Sequence, residues 1–420
     1  MTFSLLTRIC PAFLGVFVAA CATSPGPEQN EAARGSVSLP VSSATISVGQ
    51  PSDPFAAPID IPAGNFSAVP GWGAIDPRAG LEAFRRSCRL LLARSEDNAF
   101  VSDRAAWAGR VGEWRTGCGA LSGSLDAQAA RLLIESRFVP VEVVDPQGQQ
   151  RFTGYFEPII DARRRRQGAY TAAIPGPPGD LIVNGDQRLQ RLPNGRTRAY
   201  PPRSSIRPDP GRVLGYAHPA DVFFLQIQGS GRLVFEDGAT IRAAYHAHNG
   251  HAFVSTANWL LARGEISRGE ASMQGIRAWM DRARPARVAE AINANPRYVF
   301  FEAQPVTNPG LGPAGAQGVP LTALGSFAID PDFHALGLPY VVETTAPGLG
   351  GLWRGVLVSQ DTGGAIKGPV RGDIFFGTGA VAGDRAGTMN APGRLWALLP
   401  PAVANRLRRP GAPDNPPVSP

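Results

Sequence analysis

Lysine is almost missing from this sequence. Lys367 is the only one in 420 residues, so the net charge of +7 rests on arginine. A basic chain often binds nucleic acid, but the features that would support this are absent. There is no basic helix, no run of interleaved aromatics and no zinc-finger spacing, and no nucleic-acid partner is expected. The charge suits an acidic polymer or an anionic membrane face instead. The sequence has no G-x-S-x-G, which excludes the strained strand-to-helix elbow of a nucleophilic serine. Its nearest relative, Gln228-Gly229-Ser230-Gly231, is followed by another β-like run and reads as a tight turn offering backbone N–H groups and a hydroxyl. Internal repeats are also lacking.

What is present favours β structure. Glycine (49) and proline (40) are abundant, and 43% hydrophobic residues suffice for two or three cored domains. Residues 1–21, MTFSLLTRICPAFLGVFVAAC, hold one arginine, a short apolar stretch and small residues before Cys21. That is the pattern of a bacterial lipoprotein signal with Cys21 lipidated; an ordinary cleaved signal with an incidental cysteine is the alternative. Ala22, in place of Asp, points to an outer-membrane lipoprotein facing the periplasm. Export leaves Cys88 and Cys118 in an oxidising compartment, where they form either a disulfide or two buried thiols.

Residues 22–60 are rich in Ser, Pro, Ala and Gly and read as a flexible tether. AGLEAFRRSCRLLLAR and LDAQAARLLIESRF place apolar residues at three- and four-residue steps, predicting amphipathic helices. Beyond Pro140, short β-prone runs (PVEVVD, RFTGYFEPII, DVFFLQIQGSGRLVFEDG, TIRAAYH) are punctuated by turn residues. A helical block follows from FVSTANWLLARGEI to Pro296, then β texture to about 405, and a Pro-rich tail over 406–420. The arginine run 163–166 reads as a solvated loop rather than a polyanion site.

Chemistry concentrates in QDTGGAIKGPVRGDIFFGTG, residues 360–379. Asp361 ends one apolar strand and Asp373 precedes another, amid glycines that admit a substrate; turn capping is the plainer role for either acid. Asp361-Thr362-Gly363 matches the aspartic-protease signature, but the chain has no second copy for the required pair. His246, His248 and His251 raise the alternative of a zinc site, although H-x-H-x-x-H is not a familiar ligand spacing.

With TGYFEP at 153–158, FFLQIQGSGRLVFEDG, NGHAF, SMQGIRAW, LGSFAID, QDTGGAIKG, RGDIFFGTG and AGDRAGTMNAPGRLWALLP in place, residues 150–400 resemble the membrane-bound lytic transglycosylase A family. The resemblance implies a mainly β fold with flanking helices. A double-psi β-barrel (61–158 and 306–405) would be interrupted by a smaller β-rich domain (159–305), with a groove between them. It implies an exo-acting lytic transglycosylase, a carbon–oxygen lyase, that cuts peptidoglycan glycan strands between N-acetylmuramic acid and N-acetylglucosamine and leaves 1,6-anhydro ends. The family's three aspartates fall on Asp330, Asp361 and Asp373, with Asp373 as acid and base and the others, with Lys367, shaping its surroundings. GPVRGD carries an extra residue relative to some members. Thr153, Tyr155, Gln228 and Ser230 are the expected sugar contacts, with no metal or other cofactor. The expected partners are glycan strands, the outer membrane through a lipid anchor, and other cell-wall enzymes. The alternatives are a cell-wall peptidase or amidase and a non-catalytic peptidoglycan-binding lipoprotein.

Overall fold

The computed structural model describes residues 66–407, except 95, 96, 120 and 122. The expected signal 1–21 with Cys21, the tether 22–60 and the tail from 408 onward lie outside the described residues.

Three helices come first: α1 (Arg78–Leu92), α2 (Val111–Cys118) and α3 (Ala127–Glu135). In α1, Leu81, Phe84 and Cys88 recur at helical spacing and are buried. Gly80 lies on the same face, where a Cβ would stand 2.2 Å from the Val356 carbonyl oxygen, so glycine sets how closely α1 packs on the sheet. The Asp126 side chain accepts from the Ala129 N–H and starts α3. Cys88 and Cys118 form a disulfide with Cα atoms 5.5 Å apart, joining α1 to α2 beside the buried Trp114.

The strands follow in chain order: β1 (Val139–Val143), β2 (Arg151–Glu157), β3 (Ile159–Ala162), β4 (Ala172–Pro175), β5 (Leu181–Asn184), β6 (Gln187–Arg191), β7 (Thr197–Ala199) and β8 (Val213–Ala217). After helix α4 (Pro219–Gln228) come β9 (Gly231–Phe235) and β10 (Thr240–His248), then α5 (Thr256–Leu261), α6 (Met273–Arg282) and α7 (Pro285–Asn293). The last part holds β11 (Val299–Pro305), β12 (Ser326–Ile329), β13 (Pro339–Ala346), β14 (Gly351–Thr362), β15 (Arg371–Thr378), α8 (Ala380–Gly387), β16 (Asn390–Ala391), β17 (Gly393–Leu399) and α9 (Pro401–Leu407).

Among the described residues the strands form mixed sheets. The largest runs β1-β17-β13-β14-β12-β15-β2-β16, and a second runs β11-β10-β9-β3, with two small sheets, β4-β8 and β5-β6-β7. Phe152, Phe327, Tyr340 and Trp396 fill the core of the large sheet. Ile174, Leu225, Leu233 and Phe301 fill that of the second, and α4 to α7 pack around Phe223, Leu260 and Trp279.

Only Pro158 separates β2, in the large sheet, from β3, in the second. Beside it Glu157 is fully buried, and it binds both sheets together. Arg232 Nε donates to Oε2 at 2.8 Å, Arg242 Nε donates to Oε1, and Thr378 Oγ1 donates to Oε2 at 2.8 Å. Both guanidinium groups also donate to the Leu311 carbonyl at 3.0 Å, which ties down the connection between β11 and β12.

One local expectation changes. The run Phe223 to Gln228, expected as β, is the second half of α4. Pro219 opens that helix, His218 Nδ1 accepts from the Ala220 N–H, and Gly229 at φ 85° ends it, so start and stop signals outweighed the β propensity of Val, Phe and Ile. QGSG is therefore a helix-to-strand turn. The arginine run is the exposed loop expected, with Arg164 to Arg166 open to solvent; Arg163 pairs with Asp161, and Arg164 with Asp237 while its guanidinium lies 3.6 Å from the Phe235 ring centroid.

Candidate active site

The two acids singled out in the sequence meet through strand register. Asp373 on β15 lies opposite Thr153 on parallel β2, and on its other side opposite Ala328 of antiparallel β12. Ala328 in turn pairs with Asp361 on β14, just after a register irregularity at Phe327. One row across four strands thus reads Thr153, Asp373, Ala328, Asp361. Neighbouring strands are about 4.8 Å apart, so the acid-bearing backbones stand roughly 9 to 10 Å apart with only a methyl group between them. Ala328 and both acids line one cavity of about 760 Å³. The cavity's other wall comes from the second sheet, through Tyr245, His248, Glu302 and Gln304.

The two carboxyls have different surroundings. Asp361 Oδ1 accepts from the backbone N–H groups of Ala316 (3.0 Å) and Thr362 (2.9 Å), and its Oδ2 accepts from the Tyr155 hydroxyl at 2.9 Å. Asp373 accepts from Thr153 Oγ1 at 2.6 Å, through Oδ1. Thr153 Oγ1 itself accepts from Arg371 Nη2 at 2.9 Å, which fixes the hydroxyl proton toward the carboxyl. Burial pushes the pKa of both acids above the usual carboxylate range. Three donors and the nearby Asp373 charge act on Asp361; on Asp373 the Thr153 bond and the Arg371 and Arg151 charges pull back. The charged form of Asp361 is thus met by three donors, and that of Asp373 by one donor and two arginine charges.

Asp330 stands outside this cavity lining. It is buried at the end of β12 and clamps the turn that carries β14 into β15: Oδ2 accepts from the Gly368 N–H at 2.9 Å and Oδ1 from Lys367 Nζ at 3.1 Å. Lys367 also reaches Asp332, at 3.2 Å, and lies away from the cavity. His334, one helical turn beyond Asp330, holds the same segment by donating from Nε2 to the Pro369 carbonyl at 2.7 Å. Its Nδ1 then accepts from the Tyr340 hydroxyl, and burial pushes its pKa down to about 4.

Of the expected sugar contacts, Tyr155, Gln228 and Ser230 line the cavity. Tyr155 packs its ring 5.3 Å from that of Phe375 and spends its hydroxyl on Asp361. Gln228 Oε1 accepts from the Phe156 N–H at 3.1 Å, which leaves its amide NH₂ for the cavity. Thr153 reaches the site through Asp373. The three clustered histidines take separate partners: His246 Nδ1 faces Glu302, His248 Nδ1 accepts from the Gly250 N–H, and His251 Nε2 donates to the Tyr200 carbonyl. The zinc cluster of the alternative reading is not assembled among the described residues. Sequence reasoning missed Ala328, Ala316, Tyr245 and Arg371. Arg371 alone carried a signal, since two residues before Asp373 in a strand is the same face.

A pair of buried carboxyls in a cleft between two sheets is what this geometry defines. Two family models cover the chain, the MltA specific insert domain over residues 151–302 and the 3D domain over 325–399. The membrane-bound lytic murein transglycosylase A of Escherichia coli is 35% identical over 266 residues, 61% of this chain and 68% of the relative. The crystal structure of a membrane-bound lytic murein transglycosylase from Agrobacterium tumefaciens matches 81% of this chain and 97% of its own, with 29% identity and a TM-score of 0.71. A crystal structure of E. coli MltA with bound chitohexaose matches 84% and 97%, with 26% identity and a TM-score of 0.58. The chain belongs to the membrane-bound lytic murein transglycosylase A family.

Proposed function

We propose that the chain is a lytic transglycosylase that cleaves peptidoglycan strands between N-acetylmuramic acid and N-acetylglucosamine, with Asp373 as its single acid and base. Protonated Asp373 gives its proton to the glycosidic oxygen as the C1–O bond breaks. The muramoyl C6 hydroxyl then closes onto C1, and the carboxylate takes the proton it sheds, forming a 1,6-anhydro end. The attacking oxygen is part of the substrate, so no water needs placing and proximity supplies the advantage. The observation that carries this reading is the unequal treatment of the two acids. Most glycosidases need a second free carboxyl, whereas both oxygens of Asp361 are already engaged by donors.

For the larger sheet we infer the double-psi β-barrel. In its support, β16 and β17 are one stretch interrupted only by Pro392, yet they pair with opposite ends of the ladder, β16 with β2 and β17 with β13 and β1. A barrel domain over 61–158 and 306–405, interrupted by 159–305, is supported by the change of sheet at Pro158 and the end of β11 at Pro305. Binding of glycan strands is supported by the chitohexaose in the E. coli relative. Anchoring to the outer membrane through lipidated Cys21 is supported by the signal pattern and the relatives' designation as membrane-bound. Among the described residues no helix is long and apolar enough to cross a membrane.

The test is digestion of purified peptidoglycan by the chain lacking its signal and by its Asp373→Asn variant, followed by mass analysis. Anhydro-muropeptides from the first, with a rate loss of about 10²- to 10⁴-fold in the second, are expected. Hydrated reducing ends would mean that water attacks, and the reading would be wrong.

A further inference from the structure

The cavity has a second charged region that the chemistry at Asp373 does not use. Arg188 on β6 and Arg297, just before β11, both line it. Arg297 lies beside the turn that follows Asp361: a Cβ placed on Gly364 would stand 3.5 Å from Arg297 Cζ. Arg297 is partly buried, and its side chain gives one hydrogen bond within the protein, from Nη1 to the His251 carbonyl at 3.2 Å. Arg188 Nη1 donates to the carbonyls of Gly185 and Gln187, while its Nε is buried and makes no hydrogen bond with the described residues. His248 adds a donor here. Its Nδ1 accepts from the Gly250 N–H at 2.8 Å, so the ring proton is on Nε2.

Among the described residues no carboxylate forms an ion pair with either arginine. The nearest acid in the lining on that wall, Glu302, has Oε1 engaged by Gln304 Nε2 at 2.7 Å and Oε2 facing His246 at 3.3 Å. Burial, with the two arginine charges behind it, holds the His248 pKa down, at about 4. A guanidinium whose N–H groups are not all met within the protein favours an anion, and its fork matches a carboxylate in two-point geometry. Tyr245 stands between the two regions: it feels the charges of Arg297 and Arg188 on one side and Asp361 on the other. The cavity is therefore polarised, with Asp361 and Asp373 at one end and Arg188 and Arg297 at the other.

Resting on the transglycosylase reading, we propose that Arg188 and Arg297 form a carboxylate subsite that takes the acidic substituent of the muramoyl sugar while the glycosidic oxygen lies at Asp373. Neutral N-acetylglucosamine carries no such group, so the subsite sets the register of the alternating strand in the cleft and selects muramoyl over glucosaminyl units. Two sources offer the same chemistry: the free lactyl carboxylate of a strand without peptides, and the carboxylates of a stem peptide amide-linked at that position.

The test measures dissociation constants in the Asp373→Asn background, where ligands are not consumed. Three ligands are compared: peptide-bearing glycan oligosaccharides, the same oligosaccharides stripped of peptide, and neutral chitohexaose. The Arg188→Gln/Arg297→Gln chain should lose about tenfold more affinity for the carboxylate-bearing ligands than for chitohexaose. Excess loss on the peptide-bearing ligand alone assigns the site to the stem, and on the stripped ligand alone to the lactyl group. Equal loss on all three, or none, overturns the subsite. Should the double variant not fold, Arg188→Gln alone is read the same way, as is the intact chain on raising salt toward about 1 M, where the screening length is ~3 Å. If the unmutated chain releases no anhydro ends from either strand, the transglycosylase reading fails. If it does release them while the ligand preference persists in the arginine variants, only the subsite fails.

Discussion

Replacing Thr153 with valine keeps the shape of the side chain and removes one hydroxyl, which in this fold has two partners. It donates to Asp373 Oδ1 at 2.6 Å and accepts from Arg371 Nη2 at 2.9 Å. A hydrogen bond to a charged group contributes about 1.5 to 3 kcal/mol, so this bond favours the carboxylate and holds the Asp373 pKa down. Burial already pushes Asp373 upward, and losing the bond lets it rise further. Arg371 keeps its bonds to the Gly372 and Arg151 carbonyls, so its charge stays in place. In the proposed mechanism the acid form starts the reaction, so activity falls as pH rises through the Asp373 pKa. In Thr153→Val that fall should move to higher pH, and the plateau rate should drop about tenfold as the carboxyl loses its orientation. The assay is the pH profile of kcat/KM for release of anhydro ends, with Thr153→Ser as the variant that keeps the hydroxyl. An alkaline limb that stays in place, or shifts to lower pH, refutes the reasoning.

Glu157→Ala leaves Arg232 and Arg242 buried without their carboxylate, and should cost about 3 to 5 kcal/mol, read as a fall in urea midpoint. His334 has a folded-state pKa pushed down to about 4 against an ordinary 6.5. Its contribution to stability is thus complete above about 6.5 and declines by up to about 3 kcal/mol as pH falls to 4, because only the unfolded chain takes up the proton in that window. Urea melts at pH 7 and pH 4.5 should show this loss, reduced in His334→Gln. Opening the Cys88–Cys118 bridge, which spans 30 residues, should lower stability by about 3.5 kcal/mol in the chain-entropy account, measured by melts with and without reductant.

Why the site was partly legible in advance follows from the residues. Asp361 and Asp373 stood out because glycines surrounded them and apolar runs adjoined them, and both line the cavity. Asp330 was named with them, yet in the fold its carboxyl holds a turn and Lys367 serves the same clamp. Nothing local could separate these roles, since all three acids end or interrupt similar apolar stretches. The helix at Pro219–Gln228 was hidden by a run of β-prone side chains, although Pro219 and Gly229 carried the signal. Glu157 gave no signal, because its two arginine partners lie 75 and 85 residues away.

What the sequence determined alone was composition, the β-rich texture, the helix faces of the first segment and the pair of acids, all properties of neighbouring residues and their periodicity. What only the tertiary structure decided was the register that aligns Thr153, Asp373, Ala328 and Asp361, and the facing of Arg188 and Arg297 toward the same cavity. Register is a relation between strands distant in the chain. It is fixed by which faces find a common core, so the different hydrogen-bond surroundings of two similar aspartates come from donors that folding brings together.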